Sequence, residues 1–255
     1  MNTTRVRGKV RSGLPPKARA VTVRGLKIKA RGRVWGAYYA AVMSFFRKLV
    51  SSRPPNAQTS GFAVIDTETT GFGRKARIVE IGVVVLDDNL EEHSRWGTLI
   101  NPESPIPNSR IHGITDDMVT SAPTFREVAG QLLDVLDDRI LMAHNAKFDS
   151  KMITAEFDRL TGGADDTLWP FVCTIDLAKQ LTEGPYRLSA LAAKCGVVNP
   201  NAHAAVDDAA TTAAVLRHLV GDSRGEVVKA LQEQGQRFSK PVTDWSRAVQ
   251  LRPRP

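Results

Sequence analysis

The stretch F-A-V-I-D-T-E-T-T-G at residues 62–71 joins an apolar run to two acids that are two positions apart. It predicts a short buried strand from Phe62 to Asp66. Residues two apart on a strand point to the same face, so Asp66 and Glu68 should project together from its C-terminal edge. Two such close carboxylates repel each other unless a cation lies between them. The stretch therefore indicates either a solvated strand end or part of a cation site.

The segments that follow predict an α/β fold. R-I-V-E-I-G-V-V-V-L at 77–86 is apolar at nearly every position, which is typical of a strand buried on both faces. Further strands are expected at 95–100 and 140–143, and a capping box from Thr124 to Glu127 should open a helix. Later helices are expected near 147–160, 173–182, 188–195 and 204–220. A strand meander followed by alternating strands and helices predicts a mixed central sheet flanked by helices.

The charge pattern divides the chain into three parts. The net charge is +8, but residues 1–60 hold 14 Lys and Arg and no acid, so the other 195 residues carry 21 basic against 27 acidic groups, a net of −6. We expect residues 1–60 to form a largely disordered basic leader with a helix at 34–50. Residues 61–220 should form the folded domain, and 221–255 a flexible basic tail with at most one short helix near 223–235.

Several observations bear on the compartment. The longest nearly apolar run, 34–46, has 13 residues, and a membrane span needs about 20. Cys173 and Cys195 lack C-x-x-C spacing, so neither a disulfide framework nor a thiolate zinc site is predicted, which fits a reducing compartment such as the cytoplasm. The acid-free leader also resembles an organellar transit peptide, and Met43 is a second candidate start.

Two later clusters supply further candidate ligands. Asp149 falls in the first turn of a predicted helix, where the helix dipole favours a carboxylate. His203 and Asp208 are five positions apart, about 140° around a regular helix, so they converge only if His203 lies in the preceding loop and folds back. Each cluster taken alone also fits a purely structural role.

Taken together and in this order, the motifs resemble the DEDDh 3′→5′ exonucleases, and most closely the epsilon proofreading subunit of bacterial DNA polymerase III. The resemblance runs from about Phe62 to Leu219. It rests on I-D-T-E-T-T-G at 65–71, I-H-G-I-T-D-D-M-V at 111–119, A-H-N-A-K-F-D at 143–149 and H-A-A-V-D-D-A at 203–209. It implies a ribonuclease H-like fold.

The resemblance also implies roles for individual residues. Two Mg²⁺ or Mn²⁺ ions would be held by Asp66, Glu68, Asp149 and Asp208. His203 would be the general base that activates the attacking water, and Asp208 rather than Asp207 would be the ligand. Residues expected to contact the terminal nucleotide or shape its site are Thr69, His112 and Asn145.

The implied reaction releases nucleoside 5′-monophosphates from single-stranded or frayed DNA 3′ ends, in proofreading or repair, with any polymerase partner in a separate chain. Two alternatives stay open. The substrate could be RNA or short oligoribonucleotides, because pocket shape decides which sugar is accepted. Less expected is a catalytically inactive nucleic-acid-binding or polymerase-associated scaffold. The basic leader and tail would either neutralise phosphates or only solubilise the chain.

Overall fold

A computed structural model of the chain describes residues 61–73, 75–161, 169–235 and 237–238. The predicted leader, its helix at 34–50 and residues 239–255 lie outside the described residues. Within the described part, no helix is both long and apolar enough to cross a membrane.

Five strands form one mixed sheet in the order β3-β2-β1-β4-β5. β1 (Phe62–Thr69), β2 (Ile78–Leu86) and β3 (Glu92–Leu99) form an antiparallel meander. β4 (Ile140–Ala143) pairs in parallel with β1, and β5 (Phe171–Cys173) pairs in parallel with β4. The predicted mixed sheet is confirmed. β5 was not predicted, because three residues are too few to show a periodic pattern.

Eight α-helices are seen in the described ranges. They are α1 (Ser109–His112), α2 (Asp116–Val119), α3 (Phe125–Leu136), α4 (Lys147–Thr161), α5 (Thr174–Leu181), α6 (Leu188–Cys195), α7 (Ala205–Val220) and α8 (Arg224–Gln234). α3 begins at the predicted capping box, where the Thr124 N–H donates to Glu127 Oε2 at 2.7 Å. The one-turn helices α1 and α2 were not predicted, because four residues hold no amphipathic repeat.

Successive side chains of β1 point to opposite faces of the sheet, and they are buried on both faces. Ala63 and Ile65 pack in the cluster that includes α3 and α4. Phe62 and Val64 pack in the cluster that includes α7 and α8. Because alternate residues share a face, Asp66 and Glu68 continue the face covered by α7, whereas Thr67 continues the face covered by α4.

Packing continues beyond residue 220, where the sequence predicted the domain to end. α8 buries Val227, Val228 and Leu231 against the core. Phe238 stacks on Trp169 with a ring-centroid distance of 4.5 Å. The packed unit therefore extends at least to Phe238. The sequence did not indicate this, because the segment is mostly polar and contains only a few apolar contact residues.

A buried carboxylate ties the start of β2 to α4. Glu156 is 1% exposed and accepts hydrogen bonds from Arg77 Nε at 2.9 Å and from the Ile78 N–H at 3.1 Å. We expect Glu156→Ala to lower the free energy of unfolding by about 3–5 kcal/mol, because the partly buried Arg77 guanidinium loses its counter-ion. Urea denaturation measures this loss, with the exposed Glu226→Gln as control. A loss below about 1 kcal/mol, the range of surface pairs, would contradict it.

Candidate active site

Three elements bring the predicted acids together at the end of β1. Asp66 and Glu68 lie half-buried on the face that α7 covers. Asp149, in the first turn of α4, approaches from the other side and is 2% exposed. The Thr67 hydroxyl donates to Asp149 Oδ1 at 2.8 Å. β1 therefore supplies two acids on one face and the group that orients a third on the other.

The start of α7 adds His203 and Asp208. His203 lies in the loop before the helix with a left-handed φ of 71°, and its N–H donates to Asp208 Oδ2 at 3.2 Å. Its Nδ1 lies 4.0 Å from Glu68 Oε1. Three side chains, those of Glu68, His203 and Asp208, each offer one possible ligand atom, and these three atoms lie within 4.8 Å of one another. The loop thus folds back as the five-residue spacing required.

The neighbouring acid, Asp207, points elsewhere. Its Oδ2 accepts from Asn201 Nδ2 at 2.8 Å, and its Oδ1 lies 3.9 Å from Arg95 Nη1. Asp208 instead accepts from the Asn199 amide and from the His203 backbone. The structure therefore brings Asp208, not Asp207, to the acids of β1.

Burial raises the pKa of Asp66, Glu68 and Asp149, so these three carboxyl groups hold their protons more tightly than usual. Burial raises the pKa of Glu68 to about 8, and the negative charges of Asp208, Glu80 and Asp149 add to the effect. Burial raises the pKa of Asp66 well above its ordinary value, with further repulsion from Asp149 and Asp208. The pKa of Asp149 is also raised by burial, against the opposing hydrogen bond from Thr67. A divalent cation would relieve this repulsion, and carboxylate oxygens are suitable donors for it.

Glu80 is a fifth acid in this region that the sequence did not single out. It lies on β2 directly opposite Glu68 and accepts a hydrogen bond from the Ala205 N–H at 3.0 Å. Burial raises its pKa, and the bond from Ala205 opposes that shift. A charged residue inside the otherwise apolar run 78–86 was the signal that could have found it.

Two of the predicted substrate contacts, Thr69 and His112, lie near the end of β1. Asn108 Nδ2 donates to the Thr69 carbonyl at 2.8 Å, which ties the loop that precedes α1 to the end of β1. The Thr69 hydroxyl donates to the Gly71 carbonyl at 2.8 Å. His112 lies half-buried, and burial lowers its pKa, as does the proximity of His203. Thr69 and His112 therefore lie beside the acid cluster.

The third predicted substrate contact, Asn145, has a left-handed φ of 68° and lines a cavity together with Tyr186 and Arg187. The preceding residue, His144, has both ring nitrogens engaged. Its Nδ1 lies 3.1 Å from Thr174 Oγ1 and its Nε2 lies 2.9 Å from the Tyr186 carbonyl. His144 therefore clamps the segment around Tyr186 to the end of β4.

The mixed sheet and the acids at the end of its central strand define a nuclease of the ribonuclease H-like class. The chain matches the family model described as Exonuclease over residues 63–216, and it belongs to that family. It is 30% identical over 219 residues to the DNA polymerase III subunit epsilon of Haemophilus influenzae, an alignment that covers 77% of this chain and 84% of that protein.

Comparison with solved structures leads to the same family and fold. Exonuclease X in complex with 5′ overhanging duplex DNA is 29% identical, with a TM-score of 0.50, covering 62% of this chain and 90% of that one. The nuclease domain of 3′hExo, described as a DEDDh family member bound to rAMP, shares the fold at 18% identity and a TM-score of 0.54, covering 71% and 96%. The predicted fold and 3′→5′ exonuclease class are confirmed. Exonucleases of this type are metal-dependent.

The raised pKa values predict how pH and metal ions affect stability. Between the ordinary value of 4.5 for Glu68 and its folded value of about 8, the folded protein binds more protons than the unfolded chain. Stability without metal should therefore fall as pH rises through this window. A metal ion bound by these carboxylates would replace their protons, so its stabilising effect should grow with pH.

Thermal unfolding at pH 5, 6.5 and 8, in EDTA and in millimolar Mn²⁺ or Mg²⁺, measures both trends. A melting temperature in EDTA that rises from pH 5 to pH 8, or a metal-induced increase that is the same at each pH, would contradict the prediction.

Proposed function

We propose that this chain is a metal-dependent exonuclease that removes nucleoside 5′-monophosphates from DNA 3′ ends in proofreading or repair. One observation carries the proposal: acids from β1, α4 and α7 converge at the C-terminal end of β1. Burial raises the pKa of Asp66, Glu68 and Asp149 there, and repulsion adds to the shift for Asp66 and Glu68. Such a cluster is costly to keep unless cations bind to it.

In this proposal the two ions are Mg²⁺ or Mn²⁺, held by Asp66, Glu68, Asp149 and Asp208. Ligands that are carboxylate oxygens favour these ions over zinc, which prefers nitrogen and sulfur donors. When bound, such a pair of ions activates water and stabilises the charge on the leaving oxygen. The Thr67 hydroxyl bond keeps the Asp149 carboxylate directed at the site.

His203 is proposed as the general base. Its side chain is 57% exposed, and its Nδ1 lies 4.0 Å from Glu68 Oε1, so the ring lies at the solvent side of the acids. A neutral imidazole there accepts the proton of the attacking water and passes it to solvent. General bases contribute about 10²- to 10⁴-fold, so the carboxylates and their ions must supply the rest of the rate enhancement.

An exposed apolar surface near the acids is suited to bind the terminal nucleotide of the substrate. Phe72, just after β1, is 73% exposed, and its ring centroid lies 5.8 Å from that of Phe148, the neighbour of Asp149. Ile111, beside His112, is also exposed. Bases stack on such surfaces without sequence preference, and the strand must be single or frayed for its bases to be free to stack.

DNA is the proposed substrate because the relatives reported above include a DNA polymerase III subunit and an exonuclease in complex with DNA. A polymerase in a separate chain is the proposed partner, and the bacterial cytoplasm the proposed location. The leader and tail are proposed to contribute phosphate contacts, so deletion of residues 1–54 should weaken the salt dependence of binding.

Degradation of 5′-labelled oligonucleotides in Mg²⁺ or Mn²⁺ tests the proposal. Single-stranded DNA, duplex DNA with a mismatched 3′ end and RNA of the same sequence should be compared, with Asp208→Ala and EDTA as controls. The expected result is a ladder of shortened labelled DNA that is absent in both controls. Faster shortening of RNA would overturn the DNA assignment, and release of the labelled 5′ nucleotide would overturn the polarity.

A further inference from the structure

Helix α7 needs an N-terminal hydrogen-bond acceptor that its own sequence does not supply. The first N–H groups of a helix have no partner within it, and Ser, Thr, Asp or Asn before the helix usually caps them. The residue at that position here is Ala204, and it offers no side-chain acceptor. The Ala205 N–H instead donates to Glu80 Oε2 from β2 at 3.0 Å. A carboxylate at this end also interacts favourably with the helix dipole.

Two glycines allow α7 to pack closely against the sheet. Gly82 and Gly97 are paired in the register of β2 and β3. A Cβ at Gly82 would lie 2.3 Å from the Ala205 carbonyl carbon and from the Val206 nitrogen. A Cβ at Gly97 would lie 2.2 Å from Val206 Cγ2. The first turn of α7 therefore lies directly on the strand backbones.

The strand register connects this contact to the acids of β1. Asp66 is paired with Gly82, and Glu68 is paired with Glu80. Residues directly opposite each other in an antiparallel pair project to the same face, so all four positions lie under α7. The two acids of β1 and the two residues that hold α7 thus belong to one pair of strands.

We propose that Glu80 is a positioning residue: its hydrogen bond to the Ala205 N–H fixes the first turn of α7, and with it His203 and Asp208, relative to Asp66 and Glu68. The inference rests on the function proposed above. In this role Glu80 acts as a hydrogen-bond acceptor through Oε2, which accepts from the Ala205 N–H. His203 and Asp208 flank Ala205 closely, so a shift of this turn moves both.

Two conservative variants separate the hydrogen bond from the charge. Glu80→Gln keeps the length and an acceptor oxygen but loses the charge, whereas Glu80→Asp keeps the charge but is one methylene too short to reach Ala205. We expect Glu80→Asp to lower kcat and Mn²⁺ affinity by about 10- to 100-fold, the usual effect of removing a residue that orients metal ligands. Glu80→Gln should stay within about fivefold of wild type, since the charge of Glu80 adds only a small electrostatic contribution at the helix end.

Steady-state kinetics on the preferred oligonucleotide and calorimetric Mn²⁺ titration measure these effects, with Glu226→Gln as control and melting temperatures to verify folding. Equal impairment of both variants, near-wild-type behaviour of Glu80→Asp, or greater impairment of Glu80→Gln would overturn the proposal. If the wild-type protein degrades no nucleic acid, the proposed function fails. The Mn²⁺ affinities of the folded variants still test Glu80 in that case.

Discussion

Asp66→Asn is expected to lower kcat by at least about 10³-fold while raising the melting temperature of the metal-free protein at pH 8. Metal ions contribute several kcal/mol to transition-state stabilisation, and about 4 kcal/mol corresponds to 10³-fold in rate. Burial and the charges of Asp149, Asp208 and Glu68 all raise the pKa of Asp66. A neutral amide of the same shape removes that repulsion, so the variant loses activity and gains stability together.

Kinetics and thermal unfolding on the same preparation measure both effects, with the exposed Asp222→Asn as the matched control. The variant should also show a smaller metal-induced rise in melting temperature than wild type. Retention of a tenth of the wild-type rate would contradict the role of Asp66 as a ligand. A lower melting temperature in EDTA at pH 8 would contradict the repulsion argument.

Gly82→Ala is expected to lower kcat by about 10²-fold or more and to destabilise the fold by about 1–3 kcal/mol. The added Cβ would lie 2.3 Å from backbone atoms of Ala205 and Val206, and a backbone cannot rotate away as a flexible side chain can. Overpacking typically costs this much stability, and a misplacement of catalytic groups by about 1 Å can cost 10²-fold in rate.

Gly130→Ala is a suitable control, because the residue is inside α3 and a Cβ placed there would meet no atom within 4 Å beyond the adjacent helix backbone. Alanine should be neutral or stabilising at that position, by up to about 1 kcal/mol. Urea denaturation and kcat on a single-stranded oligonucleotide distinguish the two variants. Wild-type activity of Gly82→Ala would mean that α7 does not need its close contact with β2.

Much of the fold followed from local pattern. The apolar runs that became β1, β2 and β4 were recognisable because strands in the centre of a sheet are buried on both faces. The capping box predicted the start of α3, and helix spacing predicted α4, α6 and α7 to within about two residues, the usual uncertainty of helix ends. Elements without a repeat, such as α1 and β5, left no such signal.

The candidate site was predictable only in part. The order of the acidic motifs indicated which side chains converge, and the structure brings them together at the C-terminal end of the central strand β1. Thr67 and Glu80 were missed because their functions depend on partners 82 and 125 positions away along the chain. A threonine within a strand and a lone glutamate within an apolar run carry no indication of what they contact.

The sequence alone determined the chemistry available to this protein: carboxylates at the end of a buried strand, a further acid at the start of each of two later helices, and a histidine before the last of these. The tertiary structure alone decided their geometry. The pairing of Asp66 with Gly82 and of Glu68 with Glu80 places α7 directly over the acids of β1. Strand register and close packing arise from contacts between distant segments, so no local stretch of sequence could specify them.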